Sequence, residues 1–135
     1  MSINLLIVDD SDLIRASLRR LLGSVAGILT ISEATTLGEA LESVRRNPPT
    51  LVILDLNLPD GLGMDIIAQL KQISPTVWLA VLTIHADPIY RQRCLALGAD
   101  WFFDKASETD ALLEVVRQLA AQNLTIHPNQ GTPHE

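Results

Sequence analysis

Two hydrophobic patterns alternate along the chain: short unbroken apolar runs, each followed by a longer segment with apolar residues at helical spacing. The first run is Ile3 to Val8. After it Leu13, Ile14, Leu18, Leu21 and Leu22 recur at helical intervals, with Ser11 as the predicted N-cap and Gly23 as the stop. Ile28 to Ile31 is the second run, and Leu37, Ala40, Leu41 and Val44 mark a helix that ends before Pro48 and Pro49. The third run, Leu51 to Leu54, ends on Asp55. Pro59, Asp60, Gly61 and Gly63 punctuate the loop beyond it, and Leu62, Ile66, Ile67, Leu70 and Ile73 then fall on a helical face. Val77 to Leu82 is the fourth run and ends at Thr83. Ile89, Cys94, Leu95 and Leu97 give the weakest of the five helical patterns, closed by Gly98. The last strand spans Trp101 to Phe103, just before Lys105, and Leu112, Leu113, Val115, Val116 and Leu119 form the last helical face.

Five strand–helix units predict an α/β fold with a doubly wound, five-stranded parallel sheet. Strands covered by helices on both faces read as unbroken apolar runs, and the crossovers are expected to be right-handed. No break divides residues 1–122, which are expected to form one domain. After Gln122 the composition shifts to Asn, Thr, His, Pro, Gln and Gly, so residues 123–135 read as a tail or the start of an interdomain linker, with His127 and His134 solvated.

Composition narrows the class. At 135 residues with 47% hydrophobic residues, the chain can build a core and is not of disordered type. Sixteen acidic residues against ten basic ones give a formal charge of -6, which argues against a non-specific grip on nucleic acid phosphates. The single cysteine, Cys94, excludes an internal disulfide framework and reads as a buried structural thiol. Neither a signal-peptide pattern nor an apolar run of membrane-spanning length is present, so the expected setting is cytoplasmic, without membrane attachment.

The chemistry is expected beyond the carboxyl ends of the strands, where parallel α/β sheets hold their ligands. Asp9 and Asp10 follow the first strand, Asp55 the third, Thr83 the fourth and Lys105 the fifth. Three converging carboxylates repel one another, and a hard divalent cation with oxygen ligands relieves that repulsion. Lys105 offers a positive charge and Thr83 a hydroxyl donor to phosphoryl oxygens, and Asp55 is a candidate carboxylate nucleophile for phosphorus. Dinucleotide binding is disfavoured: the turn after the first strand reads Val8-Asp9-Asp10-Ser11-Asp12, with negative charge where a glycine-rich pyrophosphate cradle belongs. A conventional metabolic enzyme would need a substrate pocket away from Asp55.

The arrangement resembles the receiver domain of bacterial two-component response regulators over residues 3–121. The segments that carry the likeness are Leu6-Ile7-Val8-Asp9-Asp10-Ser11, Leu51 to Gly61 around Asp55, Thr83, and Gly98-Ala99-Asp100-Trp101-Phe102-Phe103-Asp104-Lys105. The resemblance implies a flavodoxin-like receiver fold, (βα)5 in plan. It implies that Asp55 accepts a phosphoryl group from a phosphohistidine on a sensor histidine kinase or a histidine phosphotransfer protein. It implies Mg²⁺ (or Mn²⁺) held by Asp10, Asp55 and the Asn57 backbone carbonyl, with Asp9 acting through a water. Thr83 and Lys105 would hold the phosphoryl group, and Phe102 matches the aromatic that packs inward as Thr83 moves. The chain would catalyse only its own phosphorylation and dephosphorylation. An effector surface with Tyr90, Arg91 and Trp101, and a homodimer on phosphorylation, also follow from the likeness. Trp101 reads equally as an interface anchor or as cover for the sheet edge.

Five positions matter against the family pattern. Ile84 replaces a small residue beside Thr83 and narrows access to Asp55. His85 and Asn57 occupy the positions that tune acyl-phosphate lifetime. Ala106 stands where proline is frequent after Lys105, and Asp104 is expected to point away from Lys105 into solvent. The competing reading, favoured by Ile84, is a receiver-like module that binds partners without being phosphorylated. No helix-turn-helix candidate follows Gln122, so this chain reads either as a stand-alone receiver or as the receiver part of a longer regulator.

Overall fold

The computed structural model describes residues 2–122. Five parallel strands form one sheet: β1 (Ile3–Val8), β2 (Ile28–Ala34), β3 (Leu51–Leu54), β4 (Trp78–Thr83) and β5 (Trp101–Asp104), in the order β2-β1-β3-β4-β5. Helices α1 (Asp12–Gly23), α2 (Leu37–Arg46), α3 (Ile67–Ile73), α4 (Pro88–Leu97) and α5 (Thr109–Ala121) alternate with the strands. This is the doubly wound, flavodoxin-like plan of the receiver fold. The residues 123–135, with His127 and His134, lie outside the described residues.

Two apolar layers sandwich the sheet, as the unbroken strand runs require. Leu6, Val8, Val52, Leu54, Val81 and Phe102 face α2, α3 and α4. Ile3, Leu5, Ile7, Leu51, Ile53, Leu82 and Phe103 face α1 and α5. The central strands β1, β3 and β4 are buried almost throughout. β2 is an edge strand and departs from the unbroken pattern: it runs on through Ser32, Glu33 and Ala34 and leaves Leu29 exposed.

Three further differences from the sequence pattern have local causes. In α1, Leu18 and Leu22 are buried, whereas Leu13 is 81% exposed, because the covered stripe is narrower than the full set of leucines. Leu62 does not join α3. It ends a two-residue antiparallel hairpin, Asn57–Leu58 with Gly61–Leu62, and a 3-10 turn over Gly63–Ile66 precedes the helix. In α4, Ile89 and Leu97 are exposed and Cys94 alone is buried, which accounts for the weak helical pattern there.

The helix ends follow simple chemistry. Ser11 Oγ accepts the Ile14 N–H at 3.2 Å, as expected of an N-cap. Thr36 caps α2 by accepting the Glu39 N–H at 3.0 Å, while Glu39 reaches back to the Thr35 N–H at 2.7 Å. Gly98, at φ 121°, closes α4 and donates to the Cys94 and Leu95 carbonyls. Trp101 is only 5% exposed and its ring lies 5.4 Å from that of Trp78. Its strand position turns it toward the α5 layer, where it packs with Phe103, Leu112 and Val116.

Burial pushes the Cys94 thiol up to about 11. Native protein at pH 8 is therefore expected to resist iodoacetamide, with Cys94 alkylated once the chain is unfolded in denaturant; rapid native alkylation followed by mass spectrometry would contradict a Cys94 packed on the buried face of α4.

Candidate functional site

The strand order reverses at β1, so the β1 and β3 carboxyl ends flank the crevice where such sheets bind ligands. Asp9, Asp55 and Lys105 each sit one step past a strand, on a backbone bond that continues the sheet ladder. The Asp9 N–H donates to Ala34 O at 3.1 Å, the Asp55 N–H to Val8 O at 2.9 Å, and the Lys105 N–H to Thr83 O at 2.8 Å. The strands thus aim these side chains before any loop contributes.

Asp9, Asp10 and Asp55 each offer a carboxylate oxygen, and the three oxygens lie within 4.8 Å of one another. Lys105 reaches into the same crevice. Its Nζ donates to Asp9 Oδ2 at 2.7 Å and lies 3.5 Å from Asp55 Oδ2. Asp9 Oδ1 accepts the Ser11 N–H at 2.9 Å. Asp9 and Asp55 are buried, and Asp10 is exposed. One lysine against three carboxylates leaves net negative charge in a restricted volume, and Asp10 has no side-chain hydrogen bond among the described residues. That donor set of clustered hard oxygens fits a divalent cation site. The sequence-predicted metal ligands Asp9, Asp10 and Asp55 are thus brought together, together with Lys105.

Burial raises the Asp55 carboxyl above its ordinary range. Lys105 opposes that rise, Asp9 adds to it, and the backbone N–H groups of Asn57 and Leu56 draw it down again. A carboxylate that is costly to keep charged, beside a lysine, is suited to exchange charge with a ligand at this crevice.

Thr83 is fully buried at the end of β4, and its Oγ1 accepts the His85 N–H at 3.1 Å. Ile84 and His85 are both exposed, Ile84 at 66%. Asn57 is exposed on the hairpin two residues past Asp55. A small cavity of about 120 Å³ is lined by Leu56, Asn57, Leu62, Met64, His85 and Tyr90, on the hairpin side of the crevice. Phe102 is buried in the layer under α4. Arg91 Nη1 donates to its carbonyl at 3.1 Å, and the guanidinium carbon lies 5.9 Å from the Phe102 ring centroid. No peptide bond among the described residues is cis, that before Ala106 included. Asp104 accepts the Ala106 N–H at 2.8 Å and so forms the turn after β5.

Three supporting residues escaped the sequence pattern. Gly63 packs so closely under the Asp55 loop that a Cβ there would lie 2.3 Å from Asp55 O, while its N–H donates to Leu56 O at 2.7 Å. Asp60 accepts the Leu37 and Gly38 N–H groups at 2.8 and 3.1 Å, which ties the hairpin to the α2 N-terminus and lowers the Asp60 carboxyl below its ordinary range. Arg15 donates to Asp9 O at 2.7 Å. The Gly63 signal was visible as a loop glycine; the partners of Asp60 and Arg15 are remote in sequence or lie on backbone atoms.

Known proteins agree with this geometry. The sequence profile described as the response regulator receiver domain matches residues 5–117. The chain belongs to that family of two-component signalling domains. It is similar to the transcriptional regulatory protein DegU of Brevibacillus brevis, at 31% identity over 126 residues, covering 93% of this chain and 53% of that protein. The chain thus spans about half the length of that curated relative. Among solved structures, a CheY-like receiver domain protein from Methanospirillum hungatei JF-1 aligns with TM-score 0.80 at 25% identity, covering 91% of this chain and 97% of that one. A response regulator protein from Burkholderia pseudomallei, solved with a phosphorylated aspartic acid, a calcium ion and citrate, aligns with TM-score 0.76 at 25% identity, covering 88% and 69%. Among the described residues no helix is long and apolar enough to cross a membrane.

Two outcomes test the site. Because burial raises the folded-state Asp55 pKa above its unfolded value, the charged form costs stability, and that cost grows as pH rises through the raised pKa. Asp55→Asn is therefore expected to melt higher than wild type at pH 7 in metal-free buffer, with the gap closing as pH falls below the unfolded carboxyl range of about 4; calorimetry at both pH values measures it, and an unchanged or lower melting point at pH 7 would contradict the assignment. Gly63→Ala is expected to cost about 1–3 kcal/mol, read from the urea midpoint, since backbone rather than a flexible side chain meets the new methyl group.

Proposed function

We propose that this chain is a phosphorylation-switched receiver in which Asp55 accepts a phosphoryl group from a phosphohistidine donor. The observation that carries the reading is the Lys105 ammonium between Asp9 and Asp55, beside a carboxylate trio compact enough to share one cation. In the reaction an Asp55 carboxylate oxygen forms a bond to phosphorus as the P–N bond to the donor imidazole breaks, and the bonding pair leaves on the imidazole nitrogen. Later attack of water on phosphorus breaks the new O–P bond and returns the carboxylate and inorganic phosphate.

The residues divide the work by position. Asp10 and Asp55 would hold Mg²⁺ (or Mn²⁺) directly, with the Asn57 backbone carbonyl, and Asp9 through a water. When bound, that ion supplies positive charge to the transferring phosphoryl oxygens. Lys105 exchanges part of its contact with Asp9 for a phosphoryl oxygen, and its charge stabilises the group in transfer. Thr83, whose hydroxyl proton is not used by the His85 N–H contact, donates to a second oxygen. Movement of Thr83 toward that oxygen would be read by Phe102, which shares its face of the sheet through the Val81 register and on which Arg91 rests.

A sensor histidine kinase or a histidine phosphotransfer protein is the proposed donor, in the cytoplasm. The proposed output is a protein contact surface that includes Tyr90 and Arg91, with homodimer formation on phosphorylation as one form of it. Residues 1–122 are the proposed receiver unit, with residues 123–135 as tail or linker. The reading assigns no nucleic acid contact to this chain. Ile84 argues for the alternative, a module that is never phosphorylated; its largely exposed side chain supports access to the crevice instead.

Acetyl phosphate with Mg²⁺ is expected to raise the intact mass by about 80 Da, with no gain in Asp55→Asn and none in wild type when EDTA replaces the metal. If wild type and Ile84→Ala both stay unlabelled at saturating donor and metal, the interaction-module reading replaces this one.

A further inference from the structure

The geometry points to Arg15 as a positioning residue for the cation site: it holds the Asp9–Asp10 peptide in the orientation that aims the Asp10 carboxylate at its two partners. The inference rests on the reading of Asp9, Asp10 and Asp55 as a cation site.

Arg15 lies one turn into α1, and its side chain is only 11% exposed. Nη1 donates to the Asp9 carbonyl at 2.7 Å. Nε donates to Glu33 Oε1 at 2.7 Å, and Nη2 pairs with Asp12. Arg19 holds the other oxygen of Glu33 at 2.8 Å. The guanidinium is therefore fixed from β2 and from its own helix, and it can neither rotate nor withdraw without breaking several charged contacts. The hydrogen bond between them lowers the Glu33 pKa and raises that of Arg15, so both stay charged across the ordinary pH range.

What the guanidinium fixes is a peptide plane. The Asp9 N–H is held by Ala34 O and the Asp9 side chain by Ser11 and Lys105. The Asp10 side chain has no comparable hold; among the described residues its aim depends on the peptide that precedes it. The carbonyl of that peptide is the one Arg15 binds. Support of this kind around a metal ligand commonly sets affinity without touching the ion.

The charge of Arg15 predicts the opposite effect from its geometry, which makes the idea decidable. As a bare positive charge near the trio, Arg15 would weaken cation binding, and its removal would tighten it. As a positioning group, its removal weakens binding. Mn²⁺ binding to the full chain can be read by the loss of free-ion EPR signal, and Mg²⁺ binding by calorimetry, with no phosphodonor present. Arg15→Gln is expected to raise both dissociation constants about tenfold. Arg15→Lys, which keeps the charge and one donor, should fall between wild type and Arg15→Gln. Asp10→Asn, which removes a ligand outright, sets the scale of full loss, and circular dichroism of each apo variant reports folding separately from binding.

Unchanged or tighter binding by Arg15→Gln would overturn the inference while leaving the site itself intact. If wild type binds neither ion, both this inference and the phosphorylation reading fall.

Discussion

Three carboxylates are held at the carboxyl edge of a parallel sheet against their own repulsion, with one ammonium among them. At such spacing, in a partly desolvated crevice, like charges cost far more than they would on a solvated surface. The fold tolerates this because the covalent chain and the sheet ladder leave the groups no exit. Asp9, Asp55 and Lys105 each follow directly from a buried strand and are pinned by a backbone bond to the neighbouring strand. For Asp9, Asp55 or Lys105 to move apart, the molecule would have to unzip the ends of β1, β3 or β5, and only the exposed Asp10 is free to turn away. Stability stored in two apolar layers is thus set against electrostatic repulsion at one edge, and a bound cation or a phosphoryl group that recruits Lys105 changes the balance.

The surrounding loops serve that arrangement. Gly63 lets the turn after the hairpin lie directly on the Asp55 backbone, where any side chain would push it away. Asp60 anchors the same hairpin to the first N–H groups of α2, which have no partner within the helix. Arg15 braces the opposite wall at the Asp9 carbonyl. None of these residues faces the crevice with a reactive group. Together they hold its rim on two sides, and the β4–α4 loop with Ile84 and His85 is left exposed.

The link from the crevice to the rest of the surface runs through adjacent strands. Thr83 and Asp104 are paired in register, and Lys105 hangs from the Thr83 carbonyl. Phe102, three residues before Lys105, packs on the opposite side of β5 from Trp101 and lies beneath Arg91 of α4. A displacement of the Thr83 end of β4 therefore acts on a strand that also carries the aromatic and its cationic cover. Helix α4 is suited to respond, since it buries little beyond Cys94 and has few apolar contacts to lose.

How much of this was legible beforehand depended on whether the signal was local. Unbroken apolar runs followed by 3.6-residue periodicity determined five strands, five helices and a parallel sheet, because burial on both faces leaves no polar position in a strand. Polar residues at the ends of those runs likewise picked out Asp9, Asp10, Asp55, Thr83 and Lys105, since strand ends are where a parallel sheet exposes side chains to a common crevice. The sequence alone was silent on matters that depend on partners far along the chain. Leu13 and Leu62 look like core residues and are exposed, because a helix face is covered only where another layer reaches it. The Trp101 ring lies against Trp78, a neighbour 23 residues away that no local pattern announces. Asp60, Gly63 and Arg15 act through backbone atoms of other segments, and no side-chain pattern records where a carbonyl will point. Residue type and periodicity therefore determined which groups line the crevice; strand order, register and backbone hydrogen bonds decided how closely they meet and what keeps them there.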